Sequence, residues 1–166
     1  MDLIYGDKFV AVANNGSADR VMHSTDGLTW TAAAESTTES WTTLSYNGSV
    51  YAAGSFQGSV MTSPDAITWT DQTSQAGAWR VSAANSSGRI IMMHGISGIH
   101  GGINDVQYSD DNGVTWTHAS TGLDSSWYGI VYGDGKFVAT GINGTTNNLA
   151  YSTDGITWNA GTSSRP

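Results

Sequence analysis

The chain has 166 residues, no cysteine and a formal net charge of -8, with 14 acidic residues against 6 basic ones. The absence of cysteine excludes a disulfide framework, a thiol nucleophile and a cysteine-ligated zinc site. The negative charge argues against nucleic acid and anionic membranes as partners. No apolar run is long enough for a membrane span, and Met1-Asp2-Leu3 does not resemble a secretory signal, so we expect neither in this chain.

The composition favours short strands joined by tight turns. Charged residues make up 12% of the chain, and there are 21 glycines and 7 tryptophans. Long helices use Ala, Leu, Glu and Lys, whereas threonine, valine, aromatic residues and Gly or Asn turns are typical of strands. We therefore predict an all-β protein. We also expect that it needs no cofactor.

Four similar units divide the sequence at about 1–40, 41–78, 79–126 and 127–166. Their spacing of about 40 residues matches four-stranded propeller blades. In chain order, the first predicted strands are "MDLIY", "WTTLSY", "WRVSAA" and "WYGIVY", and the second are "KFVAVA", "SVYAAG", "RIIMMH" and "KFVATG". The third are "RVMHS", "SVMTS", "VQYS" and "LAYS", and each fourth strand begins at the last Trp of its unit. The sequence predicts one domain of four blades.

A turn motif stands between the third and fourth strands of every unit: "STDGLTW", "SPDAITW", "SDDNGVTW" and "STDGITW". An Asp two residues after Ser can accept hydrogen bonds from the turn backbone, Gly supplies a left-handed position, and Trp packs beneath the hairpin. The residues concerned are Ser24, Asp26, Trp30, Ser63, Asp65, Trp69, Ser109, Asp111, Trp116, Ser152, Asp154 and Trp158.

These turns resemble the Asp-box, or BNR, repeat of sialidase-type β-propellers, with the pattern S-x-D-x-G-x-T-W. The third copy fits in full, the other three are one residue shorter, and Ala66 replaces the glycine in the second. The resemblance implies a propeller of four-stranded antiparallel blades. It implies no particular chemistry, because the motif occurs in proteins of many functions.

The resemblance to Asp-box propellers implies a ring of six to eight or more blades, and the four blades of this chain are fewer than that. One blade cannot bury both faces of its own sheet, and stacking supplies the missing partners. Three arrangements satisfy the sequence: a compact four-bladed ring, two chains forming an eight-bladed ring, and four blades of a longer polypeptide. We favour the last two over the compact four-bladed ring, because the ends of an isolated four-blade arc would expose apolar faces.

Catalysis and metal binding are not expected. The resemblance to sialidases would require three convergent arginines and a Tyr and Glu pair, whereas the two glutamates, Glu35 and Glu39, share one linker. A glycoside hydrolase with two carboxylates is the less favoured alternative, since the aspartates outside the turns form no evident pair. His94, His100 and Asp105 have the right chemistry for a metal, but a solvated loop explains them better. We predict no metal site.

The loops joining the second and third strands differ between units, and we expect them to share one face with the linkers between blades, opposite the Asp-box turns. This variation predicts a binding surface on an invariant scaffold. The candidate contact residues, chosen by loop position, are Asn14, Asn15, Phe56, Gln57, His94, Ile96, Ile99, His100 and Asn143.

The repeats also resemble, in general style, repeat-bearing proteins of bacterial surfaces and phage particles. We therefore expect a non-catalytic binding or assembly module of a virion or cell surface that contacts a carbohydrate or a protein partner. A homo-oligomer completing a larger ring is also expected. The alternative is a purely structural or decoration protein with no small ligand.

Overall fold

A computed structural model of the chain describes residues 1–15, 19–35, 37–95, 105–142 and 148–162. It contains four four-stranded sheets, each built from consecutive antiparallel strands. This architecture confirms the predicted all-β class and the four-stranded units. The described part of the chain has no helix long and apolar enough to cross a membrane.

The four sheets follow one another along the chain, and we call them blades 1 to 4. Blade 1 contains β1 (Asp2–Tyr5), β2 (Phe9–Val12), β3 (Val21–Ser24) and β4 (Thr31–Ala32). Blade 2 contains β5 (Trp41–Tyr46), β6 (Tyr51–Ser55), β7 (Val60–Ser63) and β8 (Thr70–Gln72). Blade 3 contains β9 (Trp79–Ala84), β10 (Ile90–His94), β11 (Asp105–Ser109) and β12 (Thr117–Ser120). Blade 4 contains β13 (Ser126–Gly133), β14 (Lys136–Ile142), β15 (Leu149–Ser152) and β16 (Asn159–Ala160).

Among the described residues, the core consists of three hydrophobic clusters, each between consecutive blades. Val10, Trp41 and Trp69 belong to the cluster between blades 1 and 2. Trp79, Ile90, Met92 and Trp116 belong to that between blades 2 and 3, and Ile91, Met93, Trp127, Phe137 and Trp158 to that between blades 3 and 4. Burial of these faces is the main force that holds consecutive blades together.

The inner and outer blades differ in how their sheets are covered. Every residue of β6 and β10 is buried, because blades 2 and 3 have a neighbour on each side. In β2 and β14 buried residues alternate with half-buried or exposed ones. Leu3 and Tyr5 of blade 1 are 57% and 64% exposed, and Val131 of blade 4 is 61% exposed. One apolar face of each outer blade is therefore open.

The first strands of the four blades converge on one axis. The amide of Leu44 in β5 donates a 2.8 Å hydrogen bond to Oδ2 of Asp2, and the hydroxyls of Thr43 and Ser82 are 2.8 Å apart. The guanidinium of Arg80 in β9 lies 4.1 Å from the ring centroid of Tyr128 in β13. These contacts link the first strands in order and leave open cavities at both ends of the axis.

Candidate binding site at one end of the axis

The Ser-Asp turns between the third and fourth strands share their carboxylate hydrogen bonds in all four blades, although the Trp69 indole N–H of blade 2 has no partner among the described residues. In blade 1 the Asp26 carboxylate accepts hydrogen bonds from the amides of Leu28 and Thr29, at 2.8 and 2.7 Å, and from the Ser24 hydroxyl. Gly27 takes a φ of 73°, in the left-handed region. Trp30 donates its indole N–H to the Gly27 carbonyl at 3.2 Å. The turn is therefore stabilised by contacts within itself.

The same bonds perturb the turn carboxylates. Hydrogen bonds from the backbone of Thr29 and Leu28 and from the Ser24 hydroxyl lower the pKa of Asp26 to about 2. The pKa of Asp65 is also lowered, chiefly by the amides of Thr68 and Ile67. At Asp111 and Asp154 burial raises the pKa, but hydrogen bonds outweigh it and the pKa of each is lowered. These aspartates hold turns as anions and are not poised to exchange protons near neutrality.

The described loop between β6 and β7 lies with the linker before blade 2, at the start of β5. The Phe56 amide donates to the carbonyl of Ser40 at 2.9 Å, which joins a loop between the second and third strands to the linker before blade 2. The Gln57 amide group both donates to and accepts from Ser40, at 3.2 Å. The predicted grouping of loops and linkers at one end is confirmed for these residues.

A β-bulge follows the first Trp of each of the last three units. The strand register shifts between Trp41 and Thr43 in β5, between Trp79 and Val81 in β9, and between Trp127 and Gly129 in β13. Thr42, Tyr128 and Arg80 are the residues passed over. A bulge changes the direction of a side chain without moving the rest of the sheet.

The three bulge residues meet in one cavity at the loop end of the axis. Arg80, Tyr128, Thr42 and Met1 line it together with Asn14, in a volume of about 230 Å³. An adjoining cavity of about 290 Å³ adds Phe56 and Ser40 to Asn14, Thr42 and Arg80. The surface formed by Met1, Asn14, Ser40, Thr42, Phe56, Arg80 and Tyr128 is called here the Arg80 cleft.

Arg80 is a cation in the lining of this cleft, and its surroundings hold it in place. Its guanidinium lies over the Tyr128 ring, an arrangement that favours the cation and aligns its planar group. Gly95, at the start of the unit-three loop, is so close that an added Cβ would stand 2.0 Å from the Arg80 Cδ. Other cations serve the scaffold: Lys8 donates to the Asp65 carbonyl and Arg20 to the Glu39 carbonyl.

The cleft offers mixed recognition chemistry. Arg80 can donate two parallel hydrogen bonds to an acidic group. Tyr128, which is 44% exposed, and Phe56 present aromatic surface, and Asn14 adds an amide. Asp2 lies deeper, in a cavity of about 240 Å³ shared with Arg80 and Tyr128. Its carboxylate accepts hydrogen bonds from the Leu3 and Leu44 amides, which tie it to the scaffold.

Of the predicted contact residues, Asn14 and Phe56 lie in the Arg80 cleft. Asn15 is exposed beside Asn14, and Gln57 borders a separate cavity of about 380 Å³ with Asp71 and Gln72. His94 departs from the loop position assumed for it, since it ends β10 and its side chain is fully buried between blades. Ile96, Ile99, His100 and Asn143 lie outside the described residues.

Sequence analysis missed Arg80, Thr42 and Tyr128, although a signal for them exists. Met1, Thr42, Arg80 and Tyr128 occupy equivalent positions in the four units, and the last three directly follow a repeated Trp. Four different residue types at one repeated position indicate that the scaffold requires no particular side chain there, although the Thr42 hydroxyl donates to the carbonyls of Gly54 and Trp79. The assumption that variation belongs to loops concealed this pattern, because these residues lie within predicted strands.

No group of three His, Cys, Asp or Glu side chains suitable for a metal occurs among the described residues. His100 and the side chain of Asp105, which belonged to the weighed metal hypothesis, fall outside that description. The absence of a metal site therefore stays a prediction.

Comparison with known proteins identifies the architecture. No family model matches the chain. No curated protein matches it either. Solved structures do: a nidogen/laminin complex and YCF48 bound to D1 peptide, each with a TM-score of 0.64 and 14% identity, and an ancestral GH74 enzyme, with a TM-score of 0.71 and 13% identity. They cover 91%, 92% and 95% of this chain, which spans 59%, 50% and 23% of theirs.

The chain has the β-propeller fold. The similar structures are propellers, and the four antiparallel blades match them over nearly the whole chain. They include an enzyme as well as proteins solved with a protein or peptide partner, so the likeness establishes architecture and leaves function to the site.

Proposed function

We propose that this chain is a non-catalytic binding or assembly module of Asp-box type that belongs to a virion or bacterial cell surface. Its Arg80 cleft contacts a glycan or a protein partner. The ligand that suits the cleft has an acidic group for Arg80 and a flat or apolar face for Tyr128 and Phe56. If chains complete a larger ring, several weak sites add by avidity.

One observation carries the binding proposal. Three separate bulges direct the unrepeated residues Thr42, Arg80 and Tyr128 into one cavity, while the tryptophans beside them are buried in the core. The plane of the Arg80 guanidinium stacks on Tyr128 between blades 3 and 4, and the N–H edge of that plane can still donate hydrogen bonds to a ligand. Bulges beside functional sites commonly direct side chains in this way.

The chemistry of the cleft supports binding over catalysis. Among the described residues that line the central cavity, the carboxylate is that of Asp2, which two backbone amides already engage. Glycoside hydrolysis with two carboxylates needs a second group about 5 to 10 Å away. The turn aspartates do not serve, since their carboxylates accept the hydrogen bonds of their own turns.

The test compares three proteins on an array of glycans, including acidic sugars, and on an array of acidic peptides: the wild type, Arg80→Gln and Arg20→Gln. The control loses the same charge from an arginine that donates to the Glu39 carbonyl and lies outside the cleft lining. We expect reproducible binding by the wild type and the control, and a loss of about 10-fold or more in Arg80→Gln.

Equal binding by all three proteins would contradict the assignment of the cleft. Binding by none would overturn the binding role and favour the second candidate. Melting temperatures measured alongside show whether each variant is folded.

The second candidate is a structural or decoration role without a small ligand. It is favoured by the open apolar faces of blades 1 and 4, where Leu3, Tyr5 and Val131 are more than half exposed. Exposed apolar faces of this kind are typical of surfaces that a protein neighbour covers. The array experiment distinguishes the two candidates, since this role predicts no ligand on either array.

A further inference from the structure

Each buried junction between blades follows one rule. The first buried residue of the second strand faces the preceding blade: Tyr51, Ile90 and Phe137 lie in the three clusters between blades 1 and 2, 2 and 3, and 3 and 4. The Trp of the Ser-Asp turn faces the same way, as Trp69, Trp116 and Trp158 show. A blade therefore has a preceding face and a following face, which are chemically different.

Blade 1 has an open preceding face. By register, Phe9 is equivalent to Phe137 and Tyr5 to Tyr132. Phe137 is fully buried against blade 3, whereas Phe9 is half-buried and Tyr5 is 64% exposed. Trp30 is likewise half-buried, while its three counterparts are 3 to 7% exposed.

Blade 4 has an open following face. Val131, Val138 and Tyr151 are equivalent to Ile4, Val10 and His23 of blade 1, a blade whose following face packs on blade 2. Val10 is fully buried there, but Val131 is 61% exposed and Tyr151 is 39% exposed. The two open faces are therefore the two different halves of one repeated junction.

A polar contact repeats the same rule at two of the three junctions, since blade 2 has Val50 at the position concerned. Lys8, just before β2, donates its ammonium to the carbonyl of Asp65 in the Ser-Asp turn of the next blade, at 3.0 Å. Arg89, just before β10, donates likewise to the carbonyl of Asp154 in blade 4. Lys136, the first residue of β14, occupies the equivalent position, and its ammonium contacts only Asp134 of its own turn among the described hydrogen bonds. Lys8 also forms an ion pair with its own turn, at 3.8 Å from Asp7, while it donates to the Asp65 carbonyl of the next blade.

From these repeats we infer that the occupant of both open faces is a second copy of this chain, joined head to tail. The following face of blade 4 in one copy packs on the preceding face of blade 1 in the other, and Lys136 donates to the carbonyl of Asp26 across the junction. Two copies joined at both ends form a closed ring of eight blades with twofold symmetry, within the usual size of propellers. The inference deepens the assembly half of the proposed function and rests on it.

The test measures the molar mass of the chain by light scattering over a range of concentrations. The wild type is expected at twice the 17.4 kDa of the chain. Val131→Asp places a charge on the open face of blade 4 and is expected at the mass of one chain. The control is Val114→Asp, since Val114 is 51% exposed in the Ser-Asp turn of blade 3, away from both open faces, and should remain paired.

Lys136→Met tests the polar contact. Loss of a charge-assisted hydrogen bond should weaken pairing about 10-fold or more, while the retained stem keeps its apolar contacts. A wild type that stays at one chain's mass at every concentration overturns the inference, and so does a mass that grows without limit, which indicates an open polymer. Equal dissociation of the Val131 and Val114 variants overturns the assigned face.

Failure here is separable from failure of the binding role. The Arg80 cleft is formed within one chain, so the Val131→Asp monomer can be tested on the same arrays. A wild type that stays at the mass of one chain and binds ligand would remove the pairing inference and leave the binding role intact. A dimer that binds nothing would do the opposite.

Discussion

Blades 2 and 3 are covered on both faces, whereas blades 1 and 4 are each covered on one, although all four are written in nearly the same sequence. The second strands of the inner blades are buried throughout, and β14 of blade 4 alternates between buried and exposed residues. Neighbours alone can produce such a difference, since in the "KFVA" shared by both outer blades Phe137 is fully buried against blade 3 and Phe9 is half-buried. A repeated sequence therefore provides matched positions at which burial alone changes.

The largest expected effect compares the two phenylalanines of "KFVA". In the Val131→Asp background, which isolates contacts within one chain, Phe137→Ala should lower the free energy of unfolding by about 3–5 kcal/mol, because Phe137 is fully buried. Phe9→Ala should cost only about 1–2 kcal/mol, because Phe9 faces solvent on one side. Urea unfolding at one protein concentration measures both. Equal costs would contradict the contrast between inner and outer faces.

A smaller effect is expected at the turn glycines. Gly27 and Gly155 both have a φ of 73°, so alanine costs about 1 kcal/mol or more at either. At Gly155 an added Cβ would stand 2.1 Å from the Cδ1 of Ile91 in blade 3, whereas at Gly27 the nearest atom is Phe9 Cε2, at 3.5 Å. Gly155→Ala should therefore lower the melting temperature more than Gly27→Ala. The reverse order would show that the neighbouring blade does not restrict this turn.

Substitution of Lys8 and of Lys136, which precede Phe9 and Phe137, should change the free energy of unfolding by amounts that differ by about 1–2 kcal/mol. In the Val131→Asp background, Lys8→Met removes a charge-assisted hydrogen bond to the Asp65 carbonyl and should destabilise the chain by that amount. Lys136→Met should leave the unfolding free energy nearly unchanged, since Lys136 contacts only its own exposed turn. Matched urea curves check the pair, and a large loss at Lys136 would contradict the account.

The smallest effect concerns pH and tests a feature that inner and outer blades share. The pKa of Asp26 is about 2 in the fold, below its ordinary value of 3.8, so ionised Asp26 stabilises the folded state above about pH 4. That contribution is lost as the pH falls from about 4 through 2. Asp26→Asn keeps an oxygen for the Leu28 and Thr29 amides and removes the titration. Its unfolding free energy should fall less steeply over this range, and an identical acid slope would be the contrary result.

The repeat allowed most of the fold to be predicted. Each Ser-Asp turn is held by hydrogen bonds within itself. The tryptophans stand either at the start of a first strand or at the end of a Ser-Asp turn, so the local sequence was enough to predict the strands of each blade. The four-stranded sheets and the loop end followed from it. For blades 1 and 4 we expected only that the ends of an isolated arc would expose apolar faces. The exposed residues themselves could not be predicted, because exposure depends on which blades pack against each other in three dimensions.

The site was predicted less well. Asn14 and Phe56 were identified by their loop position, and both line the Arg80 cleft. His94 was chosen although it ends a strand, and its buried side chain follows from that place. Arg80 and Tyr128 were missed because a bulge, which alternation cannot reveal, directs them to the axis.

Small-angle X-ray scattering of the wild-type chain in solution tests the central claim most directly, because it reports mass and shape together. The account predicts a closed ring of eight blades with the mass of two chains and a central hole. An open arc of four blades with the mass of one chain, unchanged with concentration, would contradict it.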